Sequence, residues 1–189
     1  MNIPTMLTSG RIICIPFFVF FFYWPSPWGR ILAGSIFVLA ALTDWLDGYL
    51  ARNWAQTTKF GAFLDPVADK LLVVTALILV VGDIHAHYQA QYLAIPAAII
   101  IGREISICAL REWMTQLGKR GRMNIVFIAQ VKTFMQLCAL TILIFYESEY
   151  PKILLHIGCF LLYVSAALTL WSMGVYLMRV IKETPMHDT

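Results

Sequence analysis

Six apolar runs, at about 12–28, 31–50, 66–82, 92–114, 124–146 and 153–178, take up most of this chain, and only short polar connections separate them. A helix that crosses the hydrocarbon core of a bilayer needs about 17–25 apolar residues, which is the scale of these runs. Inside lipid the backbone must satisfy its own hydrogen bonds, and a helix does so within one segment. The expected architecture is therefore an all-α membrane protein of six transmembrane helices, in one domain covering residues 1–189. Composition agrees. The chain is 60% hydrophobic and 13% charged, with a mean hydropathy of +0.73, whereas soluble domains are about half apolar and a quarter charged.

The uninterrupted stretch Ile12 to Trp24 is short for a span, so residues 1–11 are expected to lie at the interface and feed into it. Arg11 ahead of that stretch imitates a secretion signal. Pro25-Ser26-Pro27-Trp28 follows in place of a small-residue cleavage site, however, and the segment is expected to be retained. Residues 182–189 form a polar tail. Cys14, Cys108, Cys138 and Cys159 stand singly in apolar runs without a C-x-x-C pair or a histidine at ligand spacing. Buried free thiols are expected, not disulfides or a zinc site.

Lysine and arginine set the orientation. With an even number of spans, both termini share a side with the connections 51–65 and 111–123. Of the 14 lysines and arginines, all but Arg30 and Lys152 fall on that side or its adjoining helix ends. Setting aside Arg103 and Lys132 as too deep leaves the asymmetry intact. The basic side is cytoplasmic by the positive-inside rule.

On that same side lie four carboxylates. Asp44 and Asp47 are three residues apart at the end of the second run, and Asp65 and Asp69 are four apart at the start of the third. Both spacings put two side chains on one helix face. Acids beside a bilayer are costly and mark functional sites by default. Four of them at one place cannot all stay ionised without cations. An all-oxygen donor set favours magnesium, manganese or calcium over zinc, and two such ions can bridge a diphosphate. Gly48 and Gly61 permit close approach of a ligand or backbone. Arg52 and Lys59 are placed to meet phosphate. Taken singly, Asp65 before Pro66 also fits a helix N-cap, Asp44 a proton relay, and Asp69 a partner for Lys70. None of these covers all four acids together.

The pattern D-x2-D-G-x2-A-R-x8-G-x3-D-x3-D is met at Asp44, Asp47, Gly48, Ala51, Arg52, Gly61, Asp65 and Asp69. It resembles the signature of the CDP-alcohol phosphotransferases at every fixed position. The resemblance implies that family's six-helix fold, a homodimer, and two divalent cations, Mg2+ or Mn2+, held over a CDP-linked donor. It implies Asp44, Asp47 and Asp65 as metal ligands, and Asp69 as both a ligand and the catalytic base on the acceptor hydroxyl. Gly48, Arg52 and Gly61 would bind the CDP-lipid, with Lys59 joining them by its position in the connection.

A second constellation bears on the acceptor. Arg103 lies deep in the fourth run beside Glu104, with Arg111 two turns on and Lys132 inside the fifth. A cation at such depth needs a partner or a watery cavity. Adjacent helical residues do not face one another, so Glu104 is expected to contact another helix. An anion site is the favoured reading for Arg103 and Arg111, while Lys132 fits either that site or snorkelling to the interface. Lys119, Arg120 and Arg122 report topology or anionic lipid.

Asn2-Ile3-Pro4, Leu7-Thr8, Arg11, Arg103-Glu104, Lys119-Arg120, Lys132-Thr133 and Gln136 resemble the bacterial members of the family whose acceptor is glycerol 3-phosphate. That resemblance implies transfer of a phosphatidyl group from CDP-diacylglycerol in the bacterial inner membrane, with Arg103, Arg111 and Lys132 on the acceptor phosphate. No nucleic acid is expected as a partner. One departure is Ala129-Gln130, where the family commonly has Gly-Lys, so a cation is missing and Lys132 must suffice. Serine, an inositol phosphate or phosphatidylglycerol are rival acceptors. From another class, the rival is an ion-coupled transporter, though that would place its acids near the midplane between repeated halves, and this chain shows neither.

Overall fold

A computed structural model describes residues 3–54, 59–83, 90–116, 126–147 and 149–183 of the 189-residue chain. They form six helices, α1 (Ile3–Phe22), α2 (Pro27–Trp54), α3 (Lys59–Val81), α4 (Ala90–Gln116), α5 (Val126–Phe145) and α6 (Lys152–Glu183). No strand occurs among the described residues. α1 is continuous from Ile3, so residues 3–11 and the apolar run after them share one helix. The first run was expected to reach 28, but α1 ends at Phe22. Pro25 and Pro27 force the difference: proline removes a backbone donor and biases the residue before it away from the helical region. Pro27 instead opens α2, where a missing N–H costs nothing. Ser26 caps that helix, its Oγ accepting from the Trp28 N–H at 3.4 Å.

Packing contacts close the helices into a ring in the order α1, α2, α5, α6, α4, α3, and α3 also meets α5 across the middle. Phe18, Phe37, Leu72, Leu77, Ile100, Leu140 and Leu162 fill the interior. Large apolar side chains also cover the outside, Phe134 and Trp171 each being 69% exposed. Helices apolar on both faces suit a bilayer and not water. Tyr92–Leu110 and Lys152–Met178 are long and apolar enough to cross one, and shorter apolar stretches lie in the other four helices. Exposed Tyr23, Trp24, Trp28, Tyr92 and Tyr150 lie where α1, α2, α4 and α6 begin or end on one side of the bundle. Such rings are favoured at the membrane–water boundary. No disulfide joins the four cysteines, but the expectation that they are buried is corrected: Cys108 is exposed and Cys14, Cys138 and Cys159 are half-buried, on helices whose apolar surface also faces outward.

Gly34 lets α2 approach α5. A Cβ there would overlap the Phe145 ring. Gly34→Ala is therefore expected to destabilise the bundle by about 1–3 kcal/mol through overpacking, read as a lower melting temperature in detergent.

Candidate active site

Arg30, in the first turn of α2, and Asp83, just past the end of α3, form a buried ion pair with Nη2 donating to Oδ1 at 2.6 Å. The guanidinium also lies over the Phe22 ring, 4.0 Å from its centroid. This contact ties the start of one helix to the end of the next, and so fixes how far each extends toward the opposite side. Asp44 is fourteen residues past Arg30, and Asp69 is fourteen before Asp83. At 1.5 Å per residue both lie about 21 Å from the pin. Asp47 and Asp65 lie about a turn further. The two acidic pairs thus reach one height on separate helices.

Asp44, Asp47, Gly48 and Arg52 belong to α2, Lys59, Gly61, Asp65 and Asp69 to α3, and Arg111 to α4. Beyond that placement they lie outside the described residues. Because α3 begins at Lys59, Asp65 is inside the helix and cannot serve as its N-cap. A set of carboxylates drawn to one height from two helices fits hard divalent cations, whose preferred donors are oxygens. Among the described residues no other group of His, Cys, Asp or Glu could hold a metal.

One residue beyond Asp69, the structure shows a charge cluster built on Glu104. Its Oε1 accepts from Arg103 Nη1 and from Lys132 Nζ, the latter at 3.3 Å, and its Oε2 lies 3.5 Å from Lys70 Nζ. Helices α3, α4 and α5 each supply a cation to one carboxylate. Arg103 Nη2 donates to Ser172 Oγ of α6 at 3.0 Å, and that hydroxyl donates to the Thr169 carbonyl at 2.9 Å. Arg103 Nε is buried with no hydrogen-bond partner among the described residues. The expectation that Arg103 and Glu104 do not meet is corrected: the long arginine arm folds back onto its neighbour, which Cβ spacing alone does not forbid. Glu104 also reaches other helices, as expected. Ion pairing of this kind offsets the several kcal/mol that a bare charge costs at such depth.

A cavity of about 100 Å³ opens beside the cluster, between α2, α3, α4 and α5. Lys70, Glu104, Thr133 and Gln136 supply its polar side, and Leu77, Ile100 and Ile101 part of its apolar wall. Ala41, one helical turn before Asp44, lines it from α2. By liquid volume it holds about three waters, so it is a small vestibule, walled mostly by apolar side chains and polar on one side, near the height of the acids.

Sequence reasoning overlooked Lys70 in this cluster. Reading Lys70 as a partner for its neighbour Asp69 hid its reach to Glu104 on α4. Gln136 had a usable signal, lying one turn from Lys132 and Thr133 on the same face. Ser172 had none, because a serine in an apolar helix is common where helices pack.

The chain matches the family model for CDP-alcohol phosphatidyltransferases over residues 1–177. A CDP-diacylglycerol–glycerol-3-phosphate 3-phosphatidyltransferase of Sodalis glossinidius is 51% identical over 177 residues, covering 94% of this chain and 93% of the relative. Proteins of the same name from Shigella flexneri serotype 5b and Escherichia coli K12 are each 51% identical over 176 residues, with 93% of both chains covered.

Proposed function

The chain belongs to the CDP-alcohol phosphatidyltransferase family, and on that premise we propose that it moves a phosphatidyl group from CDP-diacylglycerol to glycerol 3-phosphate. The products are phosphatidylglycerophosphate and CMP. One observation carries this reading: identity of 51% over 94% of the chain to a relative bearing the name of that activity.

The residues divide the work. Asp69 takes the proton from the acceptor hydroxyl, whose oxygen attacks the lipid-side phosphorus. The new P–O bond forms as the bond to CMP breaks, and CMP leaves with the electron pair. Arg52 and Lys59 meet the diphosphate, with Gly48 and Gly61 leaving room for it. Asp44, Asp47, Asp65 and Asp69 would hold two divalent cations, Mg2+ or Mn2+, and when bound these supply charge neutralisation for the diphosphate and the departing CMP. Arg103, Arg111 and Lys132 receive the acceptor phosphate. The Glu104 cluster and its vestibule support this assignment, because Lys70 follows Asp69 in the chain and joins Lys132 at Glu104, on the polar side of the cavity.

In this reading all six helices span the bacterial inner membrane as a single domain. The active site and both termini face the cytoplasm, where CTP-derived donors are made, and the enzyme works as a homodimer. The test supplies purified protein with CDP-diacylglycerol, Mg2+ or Mn2+, and one acceptor at a time, and measures CMP. Release with glycerol 3-phosphate, abolished by EDTA, is expected. Release with serine, an inositol phosphate or phosphatidylglycerol but not with glycerol 3-phosphate overturns the acceptor. Silence with every acceptor overturns the activity.

A further inference from the structure

We propose that Glu104 is a positioning residue for the acceptor: an internal counter-ion that assembles Lys70, Arg103 and Lys132 into one anion site. This rests on the acceptor reading above.

The geometry is the starting point. Three cations from three helices converge on the two oxygens of one carboxylate. Without that carboxylate, like charges in an apolar bundle repel and the side chains turn apart. With it, the donors are held together before any ligand arrives, so less ordering remains to be done on binding. Arg103 is further steadied by Ser172, and its buried Nε is left as an unused donor among the described residues.

Charge then narrows the ligand. Three cations from three helices share one carboxylate. A phosphate monoester, carrying about −1.5 to −2 at neutral pH, suits such a cluster better than serine, which brings no net charge, or a phosphodiester, which brings one. Glu104 also lines the vestibule, placing the counter-ion beside the space the acceptor would enter.

Simple electrostatics makes the opposite prediction for the key variant, which gives the test its force. If Glu104 only diluted the positive charge, Glu104→Gln would tighten glycerol 3-phosphate binding. If it assembles the cations, the neutral isostere weakens binding. We expect Glu104→Gln to raise the KM for glycerol 3-phosphate about tenfold or more, the scale of a lost charge-assisted contact. The KM for CDP-diacylglycerol should hardly move and kcat should stay within about threefold, while the melting temperature should fall because buried cations lose their counter-ion. Glu104→Asp, which keeps the charge on a shorter arm, should fall between the two, and inhibition by inorganic phosphate should weaken in the same order. An unchanged or lowered KM for glycerol 3-phosphate in both variants overturns the proposal. So does an equal rise in both KM values, which a general packing defect would give. If the unaltered protein uses serine and ignores glycerol 3-phosphate, the acceptor reading fails first and takes this one with it.

Discussion

Asp69→Asn is expected to lower kcat by at least about 100-fold while leaving the affinity for CDP-diacylglycerol within about threefold. The substitution keeps the shape of the side chain and one oxygen that can still meet a metal, but it removes the basic oxygen. General-base catalysis is worth about 10²–10⁴ in rate, and a glycerol hydroxyl is too weak a nucleophile to do without it. In the proposed function the donor is gripped elsewhere, by Arg52, Lys59 and the remaining aspartates, so its binding should survive. Asp44→Asn provides the contrast. It removes a ligand and no base, so its defect should shrink as Mg2+ is raised, whereas that of Asp69→Asn should persist. CMP release across a metal titration, with donor affinity measured separately, distinguishes the two. Near-normal turnover of Asp69→Asn, or full rescue by metal, would take Asp69 out of the base role.

The sequence made some parts of this protein plain and hid others, for physical reasons. Helix existence was legible because each apolar run is long and lipid leaves the backbone few alternatives. Helix ends were less so. α2 and α3 run past their apolar stretches, to Trp54 and from Lys59, since the polar turns carrying the acids are helical as well. The acids stood out because carboxylates are rare in hydrocarbon surroundings. Their common height did not, because it depends on Arg30 meeting Asp83 over a separation of 53 residues. Arg30 was legible only as an exception to the charge asymmetry. Glu104 was visible as an oddity, yet its role as the meeting point of α3, α4 and α5 belongs to tertiary packing. No pattern within one helix reports which neighbours will bring their cations.

Asp83→Ala is expected to be the most damaging substitution outside the acidic motif, costing about 3–5 kcal/mol. That is the range for removing one partner of a buried pair, because the other charge is left behind without compensation. Arg30 could not escape easily: it is held over the Phe22 ring in the first turn of α2, and its Nη1 already lacks a partner among the described residues. The loss would show as a lower melting temperature in detergent. Stability and register can be separated with the double variant Arg30→Met, Asp83→Leu, which replaces the pair by apolar side chains of similar bulk. Such exchanges are often neutral or stabilising, so its melting temperature should recover. If the pair also sets the height at which Asp44 meets Asp69, activity should not recover with it, and the metal concentration for half-maximal CMP release should stay raised. Full recovery of both would reduce the pair to a matter of stability. A stable but metal-hungry protein would show that an ion pair about 21 Å from the acids determines how well they come together.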